Sequence, residues 1–160
     1  MPRDELAPPG APDGATGVAA SAPAEPMLRR ARLMWEQGQA DLKEARRLLR
    51  ARSYLDSAFF SFQASINALT SVCYLHGEYR PPTHSPLRLV GVLQDYDAHF
   101  AGLGPAAEAL EAVQELNPYA AERDAEDEQR RSRLYYDHSD SILKSVRGYL
   151  KRNRRRFFAP

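Results

Sequence analysis

The chain has 160 residues, 27% of them charged, a formal net charge of +1 and a single cysteine. That length fits one domain of the usual ~100–200 residues, while a lone Cys73 excludes an internal disulfide and a cysteine-rich zinc site and leaves the thiol a packing role. No stretch approaches the roughly 20 apolar residues of a membrane span, and the N-terminus lacks the basic start and unbroken apolar run of a secretory signal, so the expected setting is the cytoplasm.

Residues 1–26 hold six of the twelve prolines, and Met1, Leu6 and Val18 are their only large apolar side chains. Such a segment cannot bury enough surface to offset its ordering entropy, and a disordered tail is expected. From Leu28 the apolar positions Ala31, Trp35, Gly38, Leu42, Ala45 and Leu49 alternate by three and four, predicting an amphipathic helix. Arg46, Arg47, Arg50 and Arg52 crowd its C-terminal end, where cations meet the negative pole of the helix dipole.

A second stripe, Leu55, Phe59, Phe62, Ile66, Leu69 and Cys73, is widened by Ala58, Ala64 and Ala68 and predicts a central helix. Phe59, Phe62, Ile66 and Leu69 are its expected core. Gly77 and Pro81-Pro82 end it. Ser85 can cap a short third helix with Pro86 in the first turn and Leu87, Val90 and Leu93 as its stripe. Gly102, Gly104 and Pro105 then break the chain before a short acidic helix over 106–116, and a long last helix runs from about Asp124 to Asn153. Its stripe is Tyr135, His138, Ile142, Val146 and Tyr149. No useful period-two segment occurs, so the fold class is all-α: an antiparallel bundle of four to five helices over 27–153, between the tail at 1–26 and a basic C-terminal tail at 154–160.

The charges are segregated along this frame. From Pro105 to Glu128 eight carboxylates face Arg123 alone, whereas after Asp140 there are seven Lys or Arg and no acid. An asymmetry of this kind implies either an anionic partner or self-association of opposite ends. The run Lys151, Arg152, Arg154, Arg155 and Arg156, followed by Phe157-Phe158, combines phosphate-seeking charge with rings that can stack on bases, and is a candidate nucleic-acid contact. It is equally what a solvated helix C-terminus selects.

Several segments together resemble the HEPN family, over most of 40–150. Ala40-x-Leu42-x-x-Ala45-x-x-Leu48-Leu49 is similar to its first helix, and Tyr54 followed by Ala58, Phe60, Gln63-Ala64 and Ala68-Leu69 to its second. Thr83-His84 with Leu87 is similar to the turn that opens its third. Leu116-x-x-Tyr119-x-x-x-Arg123 resembles a segment that often reads Arg-Tyr-Pro, but Asp124-Ala125 stand where Tyr-Pro would be. Catalytic members share an Arg, a polar residue and, after four to six positions, a His near the start of the last helix, serving metal-independent RNA cleavage. Here Arg131-Ser132 precedes His138 by seven positions and Arg133 precedes it by five.

The resemblance implies a homodimer in which two copies of the motif face each other, with RNA or a nucleotide as ligand. It also implies a role in a toxin and antitoxin pair with a nucleotidyltransferase partner. The chemistry is coherent: imidazole titrates near neutral pH and can move the proton at the 2′-hydroxyl or leaving oxygen, while a guanidinium stabilises phosphate charge with paired donors. Arg131, Arg133 and His138 are therefore the candidate catalytic residues of an endoribonuclease. The rival reading makes His138 a packing histidine beside Tyr135 and Ile142, in a non-catalytic module for protein–protein interaction. His84 sits in a Pro-bounded turn with a capping or solvent-exposed role, His76 and His99 have no second ligand at metal spacing, and Glu126, Asp127 and Glu128 look like a solvated helix start, so no metal site and no cofactor are expected.

Overall fold

The computed structural model of the chain describes residues 23–120 and 124–158, and every regular element among them is helical. Helix α1 spans Glu25–Arg50, α2 Tyr54–Leu75, α3 Pro86–Tyr96, α4 Gly104–Glu111, α5 Ala125–Arg152 and α6 Arg154–Phe158, with 3-10 turns at Ala98–Leu103 and Ala112–Glu115. The all-α bundle is what the periodicity implies. The tail assigned to 1–26 falls outside the described residues as far as residue 22, as does Arg123. Glu25 and Pro26 belong to α1, where a proline in the first turn sacrifices no helical hydrogen bond.

α1 and α2 form a tight antiparallel pair. The turn between them is a Schellman motif: the Ser53 amide donates to the Leu48 carbonyl at 2.9 Å and the Arg52 amide to that of Leu49 at 3.2 Å. The residue in the left-handed conformation that this motif demands is Arg52, with φ 61°, rather than the usual glycine. Further along, a Cβ placed on Gly38 would lie 3.1 Å from both the Ala64 carbonyl oxygen and the Ala68 amide nitrogen, so this glycine sets how closely the two backbones approach.

That closeness decides which face of α2 is buried. Its first two-thirds bury the small residues Ser57, Ala58, Ser61, Ala64, Ser65 and Ala68 between α1 and α5. Ser57 Oγ donates to the Ala45 carbonyl at 2.8 Å, Ser65 Oγ lies 2.9 Å from Ser139 Oγ, and Ser139 Oγ donates to the Ser61 carbonyl at 2.7 Å. No room is left there for aromatic rings. Phe59 and Phe62 are therefore not at the centre, as their stripe implies: Phe59 is 39% exposed and Phe62 only half-buried, while Ile66 and Leu69 are fully buried. Large side chains enter the core lower down, where Leu69 and Val72 meet Leu89 and Leu93 of α3, Phe100 of the first 3-10 turn, Leu110 of α4, and Ile142 and Val146 of α5.

α1 contains a surprise of the opposite kind. Its buried line is Met27, Ala31, Gly38, Asp41, Ala45 and Leu48, which includes a carboxylate. Asp41 accepts from Gln37 Nε2 at 2.8 Å and from Asn67 Nδ2 of α2 at 2.7 Å, and Asn67 in turn accepts from Gln63 at 3.2 Å. A buried carboxylate is tolerable only with such donors.

Ser85 caps α3, its hydroxyl accepting from the Arg88 amide at 3.1 Å and reaching Glu111 of α4 at 2.5 Å. Asp124 caps α5 by accepting from the Glu126 amide at 3.0 Å, and acids fill the first turn while Lys151 and Arg152 fill the last, both matching the dipole.

Candidate functional site

The long helix α5 carries all three candidate catalytic residues, and helical geometry sorts them at once. Arg131 and His138 are seven residues apart, so they share one line along the helix, separated by about 10.5 Å of axial rise. Arg133 and His138 are five apart, which turns their side chains about 140° from each other. Arg133 thus faces a different side of the bundle from the histidine that its spacing suggests as a partner.

Arg131 is exposed and lies on the wall of a cleft of about 340 Å³, among residues that include Tyr54, Ser132 and Tyr135. Its guanidinium is held 2.8 Å from Asp127, one turn earlier. Glu115, Asp124 and Glu128 line the same cleft, which is therefore acidic overall. Ser132, the polar residue after the arginine, is buried with its hydroxyl donated to the Tyr54 carbonyl at 2.9 Å, a packing role. His138 is half-buried between the buried Tyr135 and Ile142, and no described residue hydrogen-bonds its ring. It lines neither the acidic cleft nor the groove beside Arg133.

That groove, of about 980 Å³, runs between the C-terminal end of α1 and α5. Arg46, Arg50 and Arg52 come from the α1 side and Arg130, Arg133 and Lys144 from α5. Sequence reasoning gave the α1 arginines only a helix-dipole role. What it lacked was the facing helix, since cations so distant in sequence face one another across a groove only once α1 and α5 pack side by side. Arg46 and Arg50, four apart and so on one face, were the available signal.

The C-terminal cations do not form one uniform tail. Arg154–Phe158 make the short helix α6, docked by the buried Phe157. Arg152 Nη2 lies 3.2 Å from the His99 ring, and the Arg156 guanidinium sits 5.2 Å from the Phe157 ring centroid. Lys151, Arg154 and Arg155 are exposed.

What α6 docks on is an aromatic cluster that sequence reasoning missed. His76 Nε2 lies 2.8 Å from the Tyr149 hydroxyl, its ring stacks on Tyr96 with centroids 4.5 Å apart, and Phe157 meets it edge-on at 5.5 Å. On the far side Tyr149 stacks on His99 at 5.8 Å and packs on Phe100 at 4.7 Å. Burial, reinforced by the positive charge of Arg156, holds the His76 pKa down to about 4 from an ordinary 6.5, against the pull of Asp97 and Glu78. Burial likewise pushes the Cys73 thiol up to about 12, so it is a packing group and not a nucleophile.

The sign of the His76 effect on stability follows. The unfolded chain takes up this proton near 6.5 and the folded chain resists until about 4, so stability is highest above pH 6.5 and declines as the pH falls through that window. Because the ring keeps some solvent contact, the loss is about 1–2 kcal/mol, below the value for a dry site. Urea unfolding at pH 7 and pH 4.5 measures it. The parent should lose that much more than His76→Gln, and an equal loss in both proteins would refute the assignment.

Among the described residues no group of three or more His, Cys, Asp or Glu is arranged to hold a metal, and no helix is long and apolar enough to cross a membrane. The family model that matches the chain is that of the HEPN domain, over residues 31–152. No curated protein and no solved structure matches it.

Proposed function

The chain belongs to the HEPN domain family, and on that premise we propose that it is an RNA-directed endoribonuclease domain whose cleavage site is assembled from Arg131 and His138 of facing protomers. The observation that carries this reading is their shared line on α5. Each is at least partly accessible, and about 10.5 Å of axial rise is too long for one compact site within a chain. A two-fold axis beside α5 removes that difficulty, because an isologous contact places residue i of one copy against residue j of the other. His138 then moves the proton of the 2′-hydroxyl or of the leaving oxygen. Arg131 stabilises the phosphorane charge with paired N–H donors. No metal is required for either role. In a cell, such an activity would serve as one component of a toxin and antitoxin pair, held in check by a nucleotidyltransferase partner.

The composite site makes a quantitative prediction. Arg131→Ala and His138→Ala should each be inactive on mixed RNA in the presence of a chelator. When the two are mixed under exchange conditions, half the dimers carry one intact site, and about a quarter of the parent rate should return. Failure of the mixture to recover activity would exclude a site shared between chains.

One observation favours a second reading, a non-catalytic interaction module. Arg131 is already paired with Asp127, in a cleft whose other charged walls are Glu115, Asp124 and Glu128 and so repel phosphate. On that reading neither variant changes any RNA-cleaving rate, and His138→Ala shifts the protein from dimer to monomer.

A further inference from the structure

The groove between α1 and α5 lies on the other flank of α5 from His138, and the cleavage site proposed above makes no use of it. Its six cations stand against two carboxylates, Glu126 and Asp140. Three of the six are partly neutralised: Lys144 is 2.6 Å from Asp140, Arg133 is 3.9 Å from Asp137, and Arg130 is paired with Asp127. Arg46, Arg50 and Arg52 are exposed and make no ion pair with any described carboxylate. Tyr54 and Tyr136 line the same groove between the charges.

Arg52 adds an independent observation. It occupies the left-handed position of the Schellman turn, where any side chain is disfavoured relative to glycine. A residue that strains its own backbone and holds a bare cation at the mouth of a basic groove is a functional candidate, because folding alone favours Gly there.

We propose that this α1–α5 groove is a track for the phosphate backbone of single-stranded nucleic acid. Guanidinium forks on both walls suit successive phosphates, and the two tyrosines offer faces on which bases stack. From Glu126 to Lys144 the α5 wall runs about 27 Å, room for a site of several nucleotides, at the lower end of the ~4–16 that single-strand grooves cover. Tyr54 lines both this groove and the acidic cleft beside Arg131, so a strand leaving the track passes round the N-terminal end of α5 toward that side. The inference rests on the preceding reading only for the class of ligand.

The test is fluorescence anisotropy with a labelled 2′-O-methyl uridine 12-mer, which cannot be cleaved, titrated at several salt concentrations. Neutralising three contacts in Arg46→Gln/Arg50→Gln/Arg52→Gly should weaken binding at least about tenfold. It should also flatten the salt slope by about 2, at roughly 0.7 per lost phosphate contact. Arg52→Gly alone should weaken binding while raising the melting temperature by about 3–5 °C, opposite movements that a purely structural role does not produce. Arg29→Gln/Arg30→Gln, which removes two exposed cations at the other end of α1 that line neither the groove nor the cleft, should bind like the parent. The proposal is overturned if the triple variant keeps the parent's affinity and slope. It is overturned equally if the parent does not bind the oligomer, if the double variant alone loses affinity, or if a polyglutamate peptide of equal charge binds the groove more tightly than the oligomer. The last result would assign the groove to an acidic protein.

Discussion

Replacing His138 by alanine should lower the single-turnover rate of metal-free RNA cleavage about 10²–10⁴-fold, the usual contribution of a positioned proton-transfer group. Affinity for uncleavable RNA should change less than about twofold, since such a group acts in the transition state and not in binding. The helix supports the separation. His138 is half-buried on the flank of α5 opposite Arg133 and the cation-lined groove, so its loss removes no cation from that surface. Rapid-quench measurement with chelator present, alongside circular-dichroism melts, distinguishes the outcomes. Equal degradation by both proteins would mean a contaminating nuclease and end the catalytic case. A sharp drop in melting temperature with dissociation to monomer would make the histidine a packing residue and favour the interaction module.

The largest loss of stability is expected at Phe100. This ring is fully buried in the 3-10 turn Ala98–Leu103, packed 4.7 Å from the Tyr149 ring, and it ties the α3–α4 connection to the long helix. Phe100→Ala should cost about 3–5 kcal/mol through lost transfer energy and the cavity left behind, lowering the melting temperature by roughly 10–20 °C. Phe59→Ala, on the half-open face of α2, should cost less than about 1 kcal/mol. The pair of melts measures the packing directly: if Phe59→Ala is the more damaging, the face of α2 turned inward has been misassigned.

These two phenylalanines also mark what could and could not be read from sequence. The three-four alternation of α1, the Pro81-Pro82 stop, the Ser85 cap with Pro86 and the stripe on α5 are local signals, and each element they imply is present. Periodicity ranks positions by hydrophobicity, however, and so places Phe59 inside. The real constraint is the narrow gap between α1, α2 and α5, which admits Ser61, Ala64 and Ser65 and excludes a ring. Phe100 was hidden for the converse reason, lying among glycines and a proline that read as a break. The site divided in the same manner. The spacing from Arg131 to His138 is a property of one helix and was legible. The meeting of Arg46 and Arg50 with Arg133 and Lys144 depends on a distant pairing of helices that no local pattern encodes.

Asp41 has a consequence for how this sequence can change. The seam of small residues between α1 and α2 is nearly smooth, and a smooth seam leaves little to stop one helix sliding a turn along the other. The carboxylate clasped by Gln37 and Asn67 acts as a detent: only one axial setting brings the three groups together. Exchanging Asp41 for leucine by itself leaves the Asn67 Nδ2 donor without its buried acceptor, and exchanging Asn67 by itself leaves the buried carboxylate with Gln37 as its remaining donor. Each position therefore locks the other, and the pair can drift toward an apolar seam only by passing through an intermediate less stable than either end.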